Sequence, residues 1–237
     1  MGASSAVWQQ TRWHIPLWRW VLYGVLFIIV GGILAFATLK PIRVLPRIRL
    51  APGFALVDQN GQTFTSEDLR GTLTLYTFMY TSCDTPTCDY IINTMLEVDR
   101  RLDEANLGET PFRFVVISFD PDRDTPERLR AYASSLGVDV RRWHFVTGNK
   151  RLLKYIIGGG FEVYYEQQPD GSYIFDPVFV LVDGWGIIRG EYRYQTLVPD
   201  TDRIVRHIGV LAEEVRKSKG AARVAYEAAH LFLCYAQ

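Results

Sequence analysis

The sequence predicts an α/β fold with a central mixed sheet and flanking helices, preceded by one hydrophobic helix. Strand-like apolar runs at 73–80, 112–119 and 178–182 alternate with segments that have helical spacing. Such alternation predicts a mostly parallel sheet, because each helix carries the chain back to the end of the sheet at which the preceding strand began. A closing hairpin from 178–182 into 187–194 adds antiparallel strands. The predicted hydrophobic helix rests on residues 20–39, which include no charged side chain.

This charge-free run is long enough to cross a bilayer as a helix. Trp18, Trp20 and Tyr23 lie at one end, where aromatic rings favour the lipid headgroup region. A cleaved signal peptide is less consistent, because no Ala-x-Ala site closes the run. We therefore expect an uncleaved transmembrane helix at about 18–39, with the lipid bilayer as one partner. Basic residues flank both ends, so charge alone does not settle the orientation.

The rest of the chain is expected to form one domain with an extension at its end. Residues 41–52 read as a Pro/Arg linker, 53–217 as the α/β domain, and 218–237 as a C-terminal helical extension. The N-terminal segment with its helix occupies 1–40.

Turn and cap residues locate the other predicted elements. Asn60-Gly61 is typical of a hairpin turn, and Thr125-Pro126 is typical of a helix N-cap and first helical position. The predicted elements are a hairpin over 54–64 with a short helical turn after it, a helix from the turn after the first apolar strand to about 105, and helices over about 125–137, 149–157 and 200–217.

Composition excludes several classes of function. Lysine and arginine together number 26, as do aspartate and glutamate, so the balanced charge predicts no nucleic-acid partner. Three cysteines are too few for a disulfide scaffold.

Two of these cysteines, Cys83 and Cys88, occupy the turn between the strand at 73–80 and the following helix. A helix N-terminus favours the thiolate, which attacks disulfides and binds soft metals. Asp84 and Asp89 act in the opposite direction, because neighbouring carboxylates raise a thiol pKa. The pattern therefore indicates redox or metal chemistry, whether active or ancestral.

Several segments, in order, resemble the Sco/SenC family. They are Val116-Ile117-Ser118-Phe119-Asp120-Pro121-Asp122-Arg123-Asp124-Thr125-Pro126, then Trp143-His144-Phe145-Val146-Thr147-Gly148, then an apolar strand ending at Asp183. The similarity runs from about Pro52 to Lys217. It implies a thioredoxin-like fold and a role beside respiratory oxidases, to which this family helps to deliver copper.

The resemblance also implies a metal site, from which this chain departs. The family binds copper through two cysteines and one distant histidine. Cys83 and Cys88 match the cysteines and are the candidate copper(I) ligands, although four residues separate them rather than three. Phe175 or Pro177 stands where the histidine should be. The chain's own histidines are expected to be structural or solvated: His14, His144, His207 and His230.

Pro177 has two interpretations. In dithiol oxidoreductases of the thioredoxin superfamily, a cis-proline before a late strand packs beside the redox cysteines. Pro177 is similarly placed before 178–182, but it could equally just begin that strand.

The favoured function is an accessory or structural subunit, or an assembly factor, of a respiratory electron-transfer complex. Such a complex is a respiratory oxidase or a quinol-oxidising complex, and the chain is expected to need no cofactor. One alternative is a copper(I) chaperone for a terminal oxidase through Cys83 and Cys88. The other is a thiol-disulfide oxidoreductase, the one enzymatic activity considered. The resemblance places the domain on the periplasmic side of a bacterial cytoplasmic membrane, where a Cys83–Cys88 disulfide would persist.

Overall fold

The computed structural model describes residues 17–39, 44–193 and 201–217. The chain divides into two compact units, Met1–Ile42 and Arg43–Gln237. The first unit contains helix α1 (Leu17–Leu39), and the second contains the sheets and the other described helices.

Helix α1 confirms that the N-terminal apolar run is helical. Within the described part of the chain, however, no helix has the combination of length and apolarity needed to cross a membrane. The predicted segment at about 18–39 is therefore confirmed as a helix.

An eight-stranded mixed sheet forms the centre of the second unit, with strand order β1-β10-β9-β4-β5-β6-β2-β3. Strands β7 and β8 pair separately as a small antiparallel hairpin. The strands are β1 (Arg49–Leu50), β2 (Ala55–Asp58), β3 (Thr63–Thr65), β4 (Leu73–Met79), β5 (Phe112–Ser118), β6 (Trp143–Thr147), β7 (Tyr165–Gln167), β8 (Tyr173–Phe175), β9 (Val178–Val182) and β10 (Ile187–Arg193).

Parallel pairing is confined to the middle of this sheet, where β5 lies between β4 and β6. Strand β9 runs antiparallel beside β4, and β2 runs antiparallel beside β6. The sheet is thus mixed, as predicted, but the expectation that most of it would be parallel is wrong. Hairpin partners occupy both outer parts of the sheet.

The described helices of the second unit are α2 (Pro86–Arg100), α3 (Pro126–Leu136), α4 (Lys150–Leu153) and α5 (Thr201–Lys217). Side chains of α2 and α5 form one hydrophobic cluster with alternate residues of β5, such as Phe114 and Val116. The intervening residues, such as Val115 and Ile117, belong to a second cluster on the opposite face. Because both faces are covered, β5 is an almost continuous apolar run, as predicted.

Local capping confirms several predicted boundaries. The Thr125 side chain accepts a hydrogen bond from the backbone N–H of Arg128, and Gly137 ends α3 with a φ of 67°. The β2–β3 hairpin turns at Gly61, whose φ is 75°. Both glycines adopt the left-handed region that other residues avoid.

The helix predicted over 149–157 is more irregular than expected. Regular α-helix covers only α4, and a π-helix follows at Lys154–Gly160. The short strands β1, β6, β7 and β8 were not predicted from periodicity.

Candidate dithiol site

The two cysteines lie where β4 passes into α2, as predicted. Thr85 is the N-cap of α2, so Cys88 occupies its third helical position and Cys83 lies in the preceding loop. Cys83 and Cys88 form a disulfide with their Cα atoms 6.0 Å apart. Cys88 is only 3% exposed, whereas Cys83 is half-buried. The Cys83 sulfur is therefore the more accessible of the two.

The loop before Cys83 is held by Asp124, which is fully buried. The backbone N–H of Thr81 donates to Asp124 Oδ2 at 2.9 Å, and the hydroxyls of Thr81 and Ser118 also donate to this carboxylate. Arg128 Nε lies 3.7 Å from Asp124 Oδ1 and donates to Thr81 Oγ1 at 2.8 Å. Asp124 thus fixes the start of the cysteine loop through charge-assisted hydrogen bonds.

The second buried aspartate of the same segment, Asp120, connects it to the β7–β8 hairpin. Asp120 Oδ2 pairs with Arg123, and the Tyr173 hydroxyl donates to Asp120 Oδ1 at 3.3 Å. Arg123 also donates to the carbonyl of Gly171 in the hairpin turn. Burial, reinforced by the Asp120 charge, raises the pKa of Tyr173 to about 12, so its phenol stays protonated.

Five rings form an aromatic cluster at this end of the sheet: Tyr80, Phe119, Tyr165, Tyr173 and Phe175. The Phe119 centroid lies 5.0 Å from that of Phe175 and 5.1 Å from that of Tyr173. The Tyr80 centroid lies 5.1 Å from Tyr173 and 6.2 Å from Phe175. The cluster therefore joins the ends of β4 and β5 to the β7–β8 hairpin.

Phe175 packs against Tyr80, the residue that directly precedes the cysteine loop. Cys83 and Phe175 are the two half-buried side chains in the described residues that pack against both hydrophobic clusters. Both side chains therefore border the two clusters.

Of the two interpretations of Pro177, the structure agrees with a proline that only precedes a strand. The peptide bonds of the described residues are all trans, so Pro177 simply precedes β9, which begins at Val178.

The described histidines lie away from the cysteines. His144 stacks on Phe64 with ring centroids 4.5 Å apart, and burial lowers its pKa. His207 Nδ1 is 2.8 Å from the Tyr192 hydroxyl. His14, His230 and the third cysteine, Cys234, fall outside the described residues. Within those residues, no group of three or more histidine, cysteine, aspartate or glutamate side chains is arranged to hold a metal ion.

The two sulfur atoms determine which reactions and which metal ions the site can support. Two thiolates at a helix N-terminus can form a disulfide or bind a soft ion such as copper(I). Within the described residues, no imidazole is grouped with the two sulfurs to form a three-ligand site.

Sequence reasoning identified Cys83 and Cys88 but missed the side chains that hold them. Asp120, Asp124 and Ser118 were noted only as part of a resemblance. Three short polar residues in a Pro-containing segment at the end of a buried strand could have indicated this role. Such side chains often form hydrogen bonds to the backbone of neighbouring loops.

Comparison with known proteins supports the fold and the family. A family model described as SCO1/SenC matches residues 45–213. An SCO2-like protein of Rickettsia felis is 32% identical over 137 residues, which span 54% of this chain and 61% of that protein. The chain thus covers less than two thirds of that relative's length.

Two solved structures from the same family are similar to this chain. A SCO1/SenC family lipoprotein of Bacillus anthracis aligns with a TM-score of 0.63 and 26% identity, covering 72% of this chain and 99% of that one. ScoI of Bradyrhizobium japonicum, solved with copper bound, aligns with a TM-score of 0.52 and 26% identity, covering 68% and 99%. These neighbours confirm the thioredoxin-like fold, and they give no support to the expectation of a protein without a cofactor. The chain belongs to the SCO1/SenC family.

Proposed function

We propose that this protein is an assembly factor for a respiratory oxidase and that it carries copper(I) on the reduced Cys83–Cys88 pair. The family is linked to copper binding and to cytochrome c oxidase assembly. The observation that carries the proposal is the placement of the pair, with one accessible and one buried sulfur at the N-terminus of α2.

The pair has the chemistry that this role needs. Reduction of the disulfide by two electrons and two protons gives two thiols, and binding of copper(I) releases the protons because thiolates are the ligands. Thiolates are soft donors that favour copper(I) over hard cations. The buried Asp124 keeps the loop in place, so the ligands are positioned before the ion arrives.

Location on the oxidising, periplasmic side of a bacterial cytoplasmic membrane is part of the same proposal. A disulfide such as Cys83–Cys88 persists in that compartment and is reduced in the cytosol. The proposal keeps residues 18–39 as the membrane anchor.

Titration with copper(I) tests the proposed function. The full chain in detergent, reduced and anaerobic, is titrated in competition with a chromophoric copper(I) chelator. We expect one copper(I) per chain, with binding lost in Cys83→Ser and Cys88→Ser. Cys234→Ser is the matched control and should bind like the unsubstituted chain. Absence of binding to the unsubstituted chain would refute the carrier role.

The second candidate is a structural or accessory subunit of a respiratory complex. The aromatic cluster favours it, because Phe175, one of the two residues that stand where the resemblance expects a histidine, packs there with apolar contacts. This candidate predicts stable co-purification with a larger membrane complex that survives the double substitution of Cys83 and Cys88 by serine. A copper carrier would associate only transiently.

A further inference from the structure

We propose that the cavity between β1, β4 and the β9–β10 turn binds a small neutral phenol, a single aromatic ring that carries a hydroxyl group. This cavity has a volume of about 180 Å³ and lies at the start of β4, whereas the two cysteines follow the end of that strand. It is therefore a second site, and it does not depend on the proposed function.

The volume and the walls of the cavity suit one ring. Leu69 and Val182 are buried apolar side chains of the lining, and Leu50 and Trp185 are exposed ones that form the mouth. Apolar cavities of about 150 Å³ accept a benzene ring. A six-membered ring with one small substituent therefore fills the available space.

The lining also contains two buried hydroxyl groups on one face of β4. Thr74 is 1% exposed, and within the described residues its buried Oγ1 has no hydrogen-bond partner. Burial raises the pKa of Tyr76, so its hydroxyl stays protonated and can donate a hydrogen bond. A buried hydroxyl without a partner is costly, which indicates a polar group supplied from outside the chain.

The charged side chains of the lining are already paired, which favours a neutral ligand. Arg70 pairs with Glu67 at 3.0 Å, and Asp183 pairs with the buried Arg189 at 2.9 Å. A phenol has an ordinary pKa of about 10 and is uncharged at pH 7. Its hydroxyl both donates and accepts, so it complements the two hydroxyl groups of β4.

The backbone at the mouth is fixed before a ligand arrives. The Trp185 N–H donates to Asp183 Oδ1 at 2.9 Å, and the Trp185 carbonyl accepts from Arg70 Nη1 at 2.8 Å. The indole ring on this backbone is nevertheless 77% exposed. A binding surface whose backbone is already ordered loses less conformational entropy when a ligand binds.

The experiment follows Trp185 by fluorine NMR in the full chain in detergent, labelled with 5-fluorotryptophan and titrated with phenol. The chain has six tryptophans, and the loss of one resonance in Trp185→Phe assigns Trp185. We expect the Trp185 resonance to shift saturably with phenol. Trp143, which is fully buried in the other hydrophobic cluster, should not respond.

Thr74→Val is the decisive variant, because it keeps the shape of the side chain and removes the hydroxyl. We expect it to weaken phenol binding roughly fivefold to tenfold, the effect of one hydrogen bond, and to leave the affinity for toluene undiminished. Tyr76→Phe should act in the same direction. Thr63→Val is the matched control, since Thr63 is an exposed strand residue outside the cavity and its loss should change neither affinity.

Three results would overturn the inference. The first is the absence of a saturable Trp185 shift with phenol, and the second is equal phenol affinity in Thr74→Val and the unsubstituted chain. The third is a Trp185 shift that only parallels that of Trp20 in the apolar helix α1, because uptake of phenol by the detergent would then account for it.

Discussion

At the scale of single residues, Asp124 is the side chain on which the cysteine loop depends. It is fully buried and accepts hydrogen bonds from the Thr81 N–H and from two hydroxyls. A hydrogen bond to a charged group contributes roughly 1.5–3 kcal/mol, and an orphaned buried donor costs a similar amount. The start of the loop is therefore fixed by one buried carboxylate, in addition to the disulfide that closes it.

We expect Asp124→Ala to lower the free energy of unfolding by about 2–3 kcal/mol in urea titrations. Reduction of the Cys83–Cys88 disulfide by dithiothreitol should also become faster, because the Thr81 N–H loses its acceptor and the loop loosens. Asp122→Ala is the control, since this exposed residue makes a surface pair with Lys150 and should cost under about 1 kcal/mol. Equal losses in both variants would contradict the role assigned to Asp124.

His144 gives the molecule a pH-sensitive component. Burial, followed by the nearby Arg113 charge, lowers its pKa below the ordinary value of 6.5, and its buried Nδ1 has no hydrogen-bond partner. The folded state therefore binds this proton less well than the unfolded chain does. The stabilisation is fully present above about pH 6.5 and is lost as the pH falls through the lower, folded-state pKa.

His144→Phe should flatten this pH dependence while keeping the stacking on Phe64. Urea midpoints at about pH 7.5 and about pH 5.5 measure the effect. The unsubstituted chain should lose more stability between these two values than the variant does. Parallel losses would show that other groups account for the acid sensitivity.

At the scale of secondary-structure elements, cap and turn residues correctly predicted the helices and hairpins whose boundaries are set by nearby residues. Thr125-Pro126 and Gly137 delimit α3, and Asn60-Gly61 sets the β2–β3 turn, because caps and turns act over a few residues. The strand–turn–helix around Cys83 and Cys88 was predicted for the same reason.

The parts that sequence reasoning missed depend on distant contacts. Strand β6 pairs with β2 across about 90 residues of chain, and the β7–β8 hairpin is held by Asp120 and Arg123. The sequence left Phe175 and Pro177 as the two residues that stand where the resemblance expects a histidine. The packing of Phe175 against Tyr80 and Phe119, which are distant in the chain, was not predicted.

Gly184 illustrates an element junction that tolerates no side chain. It lies between β9 and β10, and a Cβ there would come within 2.9 Å of the backbone of Gly71. The Gly71 N–H also donates to the Gly184 carbonyl at 2.9 Å, so neither backbone can easily shift.

We expect Gly184→Ala to cost about 1–3 kcal/mol in urea unfolding, the usual range for overpacking. Gly159→Ala provides the comparison, because nothing lies within 4 Å of a Cβ at that position in the π-helix. Its effect should stay within about 0.5 kcal/mol. A tolerated Gly184→Ala would mean that the turn moves as a unit.

At the scale of the whole domain, the candidate site lies where the two hydrophobic clusters meet. Cys83 and Phe175 pack against both clusters, so the site is supported by both faces of the sheet. A displacement of the cysteine loop should therefore also shift the aromatic cluster. The hydrogen bond between Tyr173 and Asp120 would pass the shift on to the β7–β8 hairpin. Packing against both faces therefore helps to keep the loop that carries the Cys83–Cys88 disulfide ordered.

A second connection ties the start of the domain to its last described helix. The Arg189 guanidinium, which is 3% exposed, donates to the carbonyls of Leu45 and Pro46. It also pairs with Asp183 at 2.9 Å and with Glu214 of α5 at 2.8 Å. One side chain thus holds the incoming chain, the β9–β10 hairpin and α5 together.

Arg189→Met should destabilise the domain by about 3–5 kcal/mol, because it removes the buried cation that pairs with two largely buried carboxylates. Since the three connected segments belong to one cooperative unit, we expect a single urea transition at lower concentration, with no separate early unfolding of α5. Arg141→Met is the matched control: Arg141 also pairs with an aspartate, but its side chain is 89% exposed and its loss should not be measurable. Two separated transitions in Arg189→Met would show instead that α5 docks on the domain as an independent element.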